Sequence, residues 1–209
     1  MKKTWTIIAA AIVWFAVVAQ LCLMLQNTST DIVSSIVRFF SYFTILTNSL
    51  VAIYFSVLAW GKDNTRLARL FHRPGTLTAI TVYILVVGLV YQIVLRGIWE
   101  PEGLQRLVDE LLHSFNPLLV LVFWISLENK NKVEWRLLPY WLIYPALYLL
   151  IILLLGEITA FYPYPFVDVS TLGLARVLMN SFYVLMLMLC IAAVLLAVGK
   201  YVVKRSMAA

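Results

Sequence analysis

Thr44 and His113 are the two residues of this 209-residue chain whose types best suit a reaction in an apolar environment. A threonine hydroxyl becomes a useful nucleophile only when a base within about 2.6–3.2 Å takes its proton. The chain has one other histidine, His72, which lies in a basic segment. An ionisable side chain inside an apolar span is costly and is by default a functional candidate. A threonine beside this histidine would allow acyl-transfer chemistry, and the two residues together predict a site within the membrane.

The composition places these residues in a membrane. The chain is 63% hydrophobic and 12% charged, with a mean hydropathy of +0.94, which lies outside the usual range of soluble domains. A helix needs about 20 apolar residues to cross a bilayer. We therefore predict an all-α bundle of six transmembrane helices that forms a single domain over residues 1–209. The predicted spans are approximately Thr4–Leu25, Phe39–Trp60, Thr76–Ile98, Glu110–Leu127, Leu137–Gly156 and Leu174–Gly199.

The distribution of basic residues gives these spans a direction. Of the 16 Lys and Arg residues, all but four fall on one side of the layout. Because cytoplasmic loops carry the excess of Lys and Arg, both termini are expected in the cytoplasm. The pI of about 9.4 then reports topology, and we expect no nucleic-acid partner. The basic residues on the outer side are Arg38, Arg96, Arg106 and Arg176.

Polar side chains from four spans lie at a similar depth in the predicted outer half of the membrane. Thr44 lies roughly 7 Å below the outer end of its span at 1.5 Å per residue, and His113 is similarly shallow. Ser41, Thr44 and Asn48 share one helical face by their spacing. We expect Thr44 and His113 to face each other across a cavity, with the neighbouring polar groups binding substrate or an oxyanion. Those groups are Asn48, Gln92, Arg96, Asn116, Arg176 and Asn180.

Several of these residues also fit structural roles that involve no chemistry. Asn48 and Asn180 could clamp helices together, and Arg96 and Arg176 could extend to lipid headgroups. Thr47 and Ser181 fit hydrogen bonds to a backbone carbonyl or to a neighbouring helix better than chemistry.

The residue that would orient the histidine is left open by the sequence. Asp109, Asn116 and Asp168 are the alternatives, and nothing ranks them. We expect no metal or cofactor, because the chain has no CxxC, no HExxH and no paired intramembrane histidines.

Three short segments together resemble the androgen-induced gene family of six-helix membrane threonine hydrolases and its bacterial relatives. They are residues 42–48 (YFTILTN), His113 shortly before Pro117, and residues 164–168 (YPFVD). The resemblance covers most of the chain in order and topology. It implies cleavage of fatty acid esters of hydroxy fatty acids, with the nucleophilic threonine at Thr44 and the histidine at His113. Where the eukaryotic members have a second histidine one turn away, this chain has Asp109 and Glu110.

We therefore expect a hydrolase of lipid esters whose site lies towards the outer face of a bacterial plasma membrane. The expected partners are the membrane and a lipid ester, and the sequence leaves the oligomeric state open. The alternatives are a lipid acyltransferase with the same nucleophile, or a noncatalytic protein that binds or transports a lipid or small molecule. A transporter is expected to show discontinuous helices or inverted repeats, and the sequence indicates neither.

Overall fold

A computed structural model describes residues 2–28, 30–62, 64–98 and 100–208, without the side chains of residue 2 and residues 206–208. Within these ranges the fold is all-α, and six helices are long and apolar enough to cross a membrane. The predicted six-helix architecture is confirmed and is compatible with an integral membrane protein. The six helices span Lys3–Asn27, Phe43–Trp60, Thr76–Leu95, Gly103–Leu127, Trp135–Thr159 and Leu174–Arg205.

Several of these spans are built from more than one helical segment. Two π-helical turns occur among the described residues, Tyr91–Leu95 and Leu111–Phe115. Short 3-10 turns cover Lys130–Lys132, Trp135–Leu137 and Pro165–Val167. The α-helices in chain order are α1 (Lys2–Asn27), α2 (Ile32–Ser41), α3 (Phe43–Trp60), α4 (Arg66–Phe71), α5 (Thr76–Val90), α6 (Gly103–Glu110), α7 (Asn116–Leu127), α8 (Leu138–Trp141), α9 (Ile143–Thr159), α10 (Val169–Leu172) and α11 (Leu174–Ala208).

Helices α3 and α5 form the centre of the bundle, and more than half of each span is buried. The core around them contains Val51, Phe55, Ile84 and Val120, none of which is exposed. The outer helices keep large apolar side chains on their exposed faces, as Ile158 does on α9. An apolar exterior around a packed interior is what a helical bundle needs in lipid, where the solvent is itself apolar.

The second predicted span, Phe39–Trp60, is wrong at its beginning. The chain turns at Tyr42 (φ −79°, ψ 124°) between α2 and α3. Ser41 therefore belongs to α2, where its hydroxyl donates to the carbonyl of Val37 at 2.7 Å, and it does not share a face with Thr44. Because of this turn, Phe43 and Thr44 are the first two residues of a new helix.

The fourth predicted span, Glu110–Leu127, also begins at a different residue. The helical path starts at Gly103, so Pro117 lies inside it and not in its first turns. A proline in a helix interior lacks the N–H of one backbone hydrogen bond. The π-turn Leu111–Phe115 ends two residues before Pro117 and accommodates this loss by changing the hydrogen-bond spacing.

Candidate functional site

Thr44 and His113 lie in direct hydrogen-bonding contact. The Thr44 Oγ1 to His113 Nε2 distance is 3.3 Å, and no cavity separates the two side chains. Thr44 is 7% exposed and the His113 side chain 12% exposed. The distance is slightly above the usual range for a nucleophile and its base, and such contacts are often longer before substrate binds.

The π-turn that carries His113 explains how this contact is positioned. The backbone N–H of Asn116 donates to the carbonyl of Leu111, five residues earlier, and so does not reach Leu112. The next possible donor to Leu112 is Pro117, which has no N–H. The Asn48 amide fills that vacancy, donating to the Leu112 carbonyl at 3.3 Å. Helix α3 and the His113 turn are thereby joined beside Thr44.

Asp109 orients the imidazole. His113 Nδ1 lies 3.0 Å from the Asp109 backbone carbonyl and 3.2 Å from its Oδ1. Both partners can only accept in this arrangement, so Nδ1 carries the proton and Nε2 is left free to accept from Thr44. Of the three residues that the sequence left open, Asp109 is the one in contact with the histidine. Asp168 instead caps α10, accepting from the Ser170 N–H at 2.9 Å.

Tyr91 completes this hydrogen-bonded chain. Its hydroxyl donates to the second carboxylate oxygen of Asp109, and its ring stacks on His113 with centroids 4.1 Å apart and 14° between the planes. Tyr91 lies in the other π-turn, and such turns are frequent at functional sites. Tyr91, Asp109, His113 and Thr44 therefore form one continuous relay that fixes the ring and its tautomer.

Tyr164 is a site residue that the sequence did not identify as one. Its hydroxyl lies 3.3 Å from Thr44 Oγ1 and accepts from the Thr44 backbone N–H at 3.2 Å. Burial raises the pKa of Tyr164 to about 12, so the phenol stays protonated at ordinary pH. The Tyr-Pro-Tyr-Pro segment at residues 162–165 stands out in the sequence, but tyrosines there also fit an interfacial aromatic belt. Nothing in the spacing placed this loop over Thr44.

Asn180 supports Tyr164 from α11. Its amide donates to the Phe166 carbonyl at 2.9 Å, and the Phe166 ring stacks on Tyr164 with centroids 5.2 Å apart. Asn180 thus anchors the loop and is not hydrogen-bonded to Thr44 or His113. The second candidate on α11, Arg176, is exposed.

Asn48 and Asn116 lie behind the nucleophile, both completely buried. The Asn48 amide donates to the Thr44 carbonyl at 2.9 Å as well as to Leu112, while its Oδ1 accepts from Asn116 at 2.8 Å. Both amide hydrogens of Asn48 are therefore occupied, and the structure places Asn48 as a clamp with no donor left for an oxyanion.

Gln92 and Arg96 belong to a polar cluster at the rim. Arg96 pairs with Glu110 and also donates to Gln92. Gln92 donates to Ser114 at 2.9 Å, and Ser114 donates to Glu110 at 2.6 Å. A substrate carboxylate would have to compete with Glu110 for the guanidinium. Among the described residues, no group of three His, Cys, Asp or Glu side chains is arranged to hold a metal ion.

Asn48→Ala is expected to destabilise the bundle without unfolding it. The change removes three buried hydrogen bonds, each worth about 0.6 kcal/mol in a membrane protein, and leaves the Asn116 amide unpaired at a cost of about 1–3 kcal/mol. Thermal unfolding in detergent would measure the loss, with Gln92→Ala as the exposed control. Unchanged stability together with a 10²–10³-fold fall in turnover would instead make Asn48 an oxyanion donor.

The chain matches no protein-family model, no curated protein and no solved structure. The contacts of Thr44, His113 and Asp109 are therefore the observations that bear on function.

Proposed function

We propose that this protein is a membrane-embedded lipid ester hydrolase in which Thr44 is the nucleophile and His113 the general base. One observation carries the proposal: a threonine hydroxyl, a histidine and an aspartate lie in hydrogen-bonding series within helices. Nucleophile, base and orienting acceptor in this order are the signature of covalent acyl transfer.

The reaction follows from the hydrogen-bond directions. Thr44 Oγ1 attacks the ester carbonyl carbon while its proton moves to His113 Nε2, and Asp109 stabilises the imidazolium that forms. Collapse of the tetrahedral intermediate expels the alkoxide, which takes the proton from His113. A water molecule, deprotonated in turn by His113, then attacks the acyl-threonine. Collapse of this second tetrahedral intermediate releases the carboxylic acid, and Thr44 Oγ1 takes its proton back from His113.

The surroundings of the site favour a lipid substrate. Exposed apolar side chains, including Phe40 and Phe115, lie near the two residues in sequence and turn outward. Within a bilayer such faces contact lipid acyl chains, so a lipid ester can reach the site without leaving the membrane. By resemblance, the specific class is a fatty acid ester of a hydroxy fatty acid.

The proposed location is a bacterial plasma membrane, with the site towards the outer face. In a cysteine-free background, in which Cys22 and Cys190 are replaced, Thr171→Cys is expected to react with an impermeant maleimide in intact cells. Asn131→Cys is expected to react only after permeabilisation. Both positions are exposed, Thr171 on the short helix α10 and Asn131 in a 3-10 turn, and they lie at opposite ends of the bundle in the predicted topology. The reverse labelling pattern would place the site on the cytoplasmic side.

The function is tested by incubating the purified protein in detergent with a panel of lipid esters that includes a fatty acid ester of a hydroxy fatty acid. We expect release of a carboxylic acid, and loss of that release after treatment with a fluorophosphonate. Acyl transfer to an added alcohol in preference to water would make the protein an acyltransferase. Lipid binding without turnover of any ester would make it a binding protein.

A further inference from the structure

The first turn of α3 presents backbone donors beside the nucleophile. The first amides of a helix have no acceptor within it, and the turn at Tyr42 makes Thr44 the second residue of α3. The Thr44 N–H accordingly donates outside the helix, to the Tyr164 hydroxyl at 3.2 Å. The nucleophile thus has its own amide directed towards the space where its substrate would react.

Tyr164 supplies a second donor to the same place. Since the Thr44 proton is directed to His113 and Nε2 can only accept, the Tyr164 O–H is left to donate to Thr44 Oγ1, 3.3 Å away. The oxyanion of an attacked ester is bonded to the carbon that Thr44 Oγ1 joins. It therefore forms next to Oγ1, within reach of both the Thr44 amide and the Tyr164 phenol.

We propose that the Tyr164 hydroxyl and the Thr44 backbone N–H form the oxyanion hole of this site, which makes Tyr164 a catalytic residue. This inference rests on the proposed hydrolase function and identifies the group that stabilises its intermediate. During attack, the π electrons of the carbonyl move to its oxygen. The Tyr164 O–H then donates to that oxygen in place of Thr44 Oγ1. The Thr44 N–H, which had donated to the phenol oxygen, donates to the same oxyanion.

The other candidate donors are committed elsewhere. Both amide hydrogens of Asn48 are held by the carbonyls of Thr44 and Leu112. Arg96 is paired with Glu110, and Asn180 donates to Phe166. None of these three residues is hydrogen-bonded to Thr44 Oγ1, whereas Tyr164 is.

The phenol is held firmly enough for this role. Its ring is stacked on Phe166 and packs edge-on against Tyr42, with centroids 5.2 and 5.6 Å apart. A pKa of about 12 keeps the hydroxyl protonated and able to donate at ordinary pH. Donors fixed before the reaction stabilise developing charge without reorganising at the moment of attack.

The test is Tyr164→Phe in the full-length protein, which keeps the ring contacts and removes only the hydroxyl. We expect kcat to fall by about 10²–10³-fold, as for loss of one oxyanion donor, with little change in KM. The matched control is Tyr148→Phe, which removes a hydroxyl that donates to the Ser41 carbonyl at 2.9 Å and does not touch Thr44. We expect the control to retain turnover.

A second measurement separates a catalytic from a structural role. A lipid trifluoromethyl ketone forms a tetrahedral adduct on the nucleophile, so its affinity for Tyr164→Phe should fall by about the same factor as kcat/KM. If the wild type hydrolyses esters and Tyr164→Phe keeps its turnover within a few fold, Tyr164 is not an oxyanion donor and the hydrolase function stands. If the wild type neither hydrolyses any ester nor binds the ketone, the hydrolase function fails and this inference fails with it.

Discussion

Thr44→Ala is expected to abolish both ester hydrolysis and labelling by a fluorophosphonate probe. The change removes the only atom positioned to attack the acyl carbon, and no other hydroxyl is in contact with His113 Nε2 among the described residues. Loss of a nucleophile in a working triad reduces turnover by roughly 10⁶-fold. Initial rates and in-gel fluorescence of the labelled protein measure the two effects.

Thr47→Ala is the matched control for Thr44→Ala. Thr47 is a buried threonine of the same helix, and its hydroxyl is hydrogen-bonded to the Tyr144 hydroxyl at 3.1 Å. We expect this variant to keep labelling and turnover, because it loses a hydrogen bond between helices and no reactive group. Equal activity of Thr44→Ala and the wild type towards every ester would remove Thr44 from the mechanism.

His113→Gln is expected to reduce turnover and labelling by a comparable factor. Glutamine preserves some of the hydrogen bonding beside Asp109 but cannot take the threonine proton, so the hydroxyl remains a poor nucleophile. Asp109→Asn should lower turnover by about 10⁴-fold, because an asparagine amide does not hold His113 in the Nδ1–H tautomer. Both are measured as kcat with saturating ester.

Two controls keep this result interpretable. His72→Gln changes the other histidine, which caps the cytoplasmic helix α4 in the predicted topology, and should leave turnover unchanged. Thermal unfolding of His113→Gln should show that the bundle is intact, since Asp109 keeps its hydrogen bond from Tyr91. A folded His113→Gln variant with wild-type turnover would mean that another group is the base.

The six spans could be predicted because each is a long apolar run. The sequence also placed Thr44 and His113 facing each other, although it counted their depths from helix starts that the structure moves to Phe43 and Gly103. The turn at Tyr42 could not be predicted, because no glycine or proline marks it. Pro117 was interpreted as a helix start, whereas the π-turn before it lets the helix continue. That misplaced beginning left Asp109 outside the predicted span and unranked.

Tyr164 was missed for a different reason. Depth counting locates residues on helices of known direction, but it gives no position to a side chain in a loop. The loop reaches Thr44 through contacts distant in sequence, such as the hydrogen bond from Asn180 to the Phe166 carbonyl. Only the three-dimensional structure brings these contacts together.

The most direct test of the account is to identify the residue that carries the adduct after fluorophosphonate treatment. The labelled wild-type protein would be digested and its peptides sequenced by mass spectrometry, with Thr44→Ala treated in parallel. We predict one adduct, on Thr44 in the peptide that contains residues 43–48, and none in the variant. An adduct on another residue, such as Ser41 or Tyr164, in a protein whose ester hydrolysis is blocked by the probe would contradict Thr44 as the nucleophile.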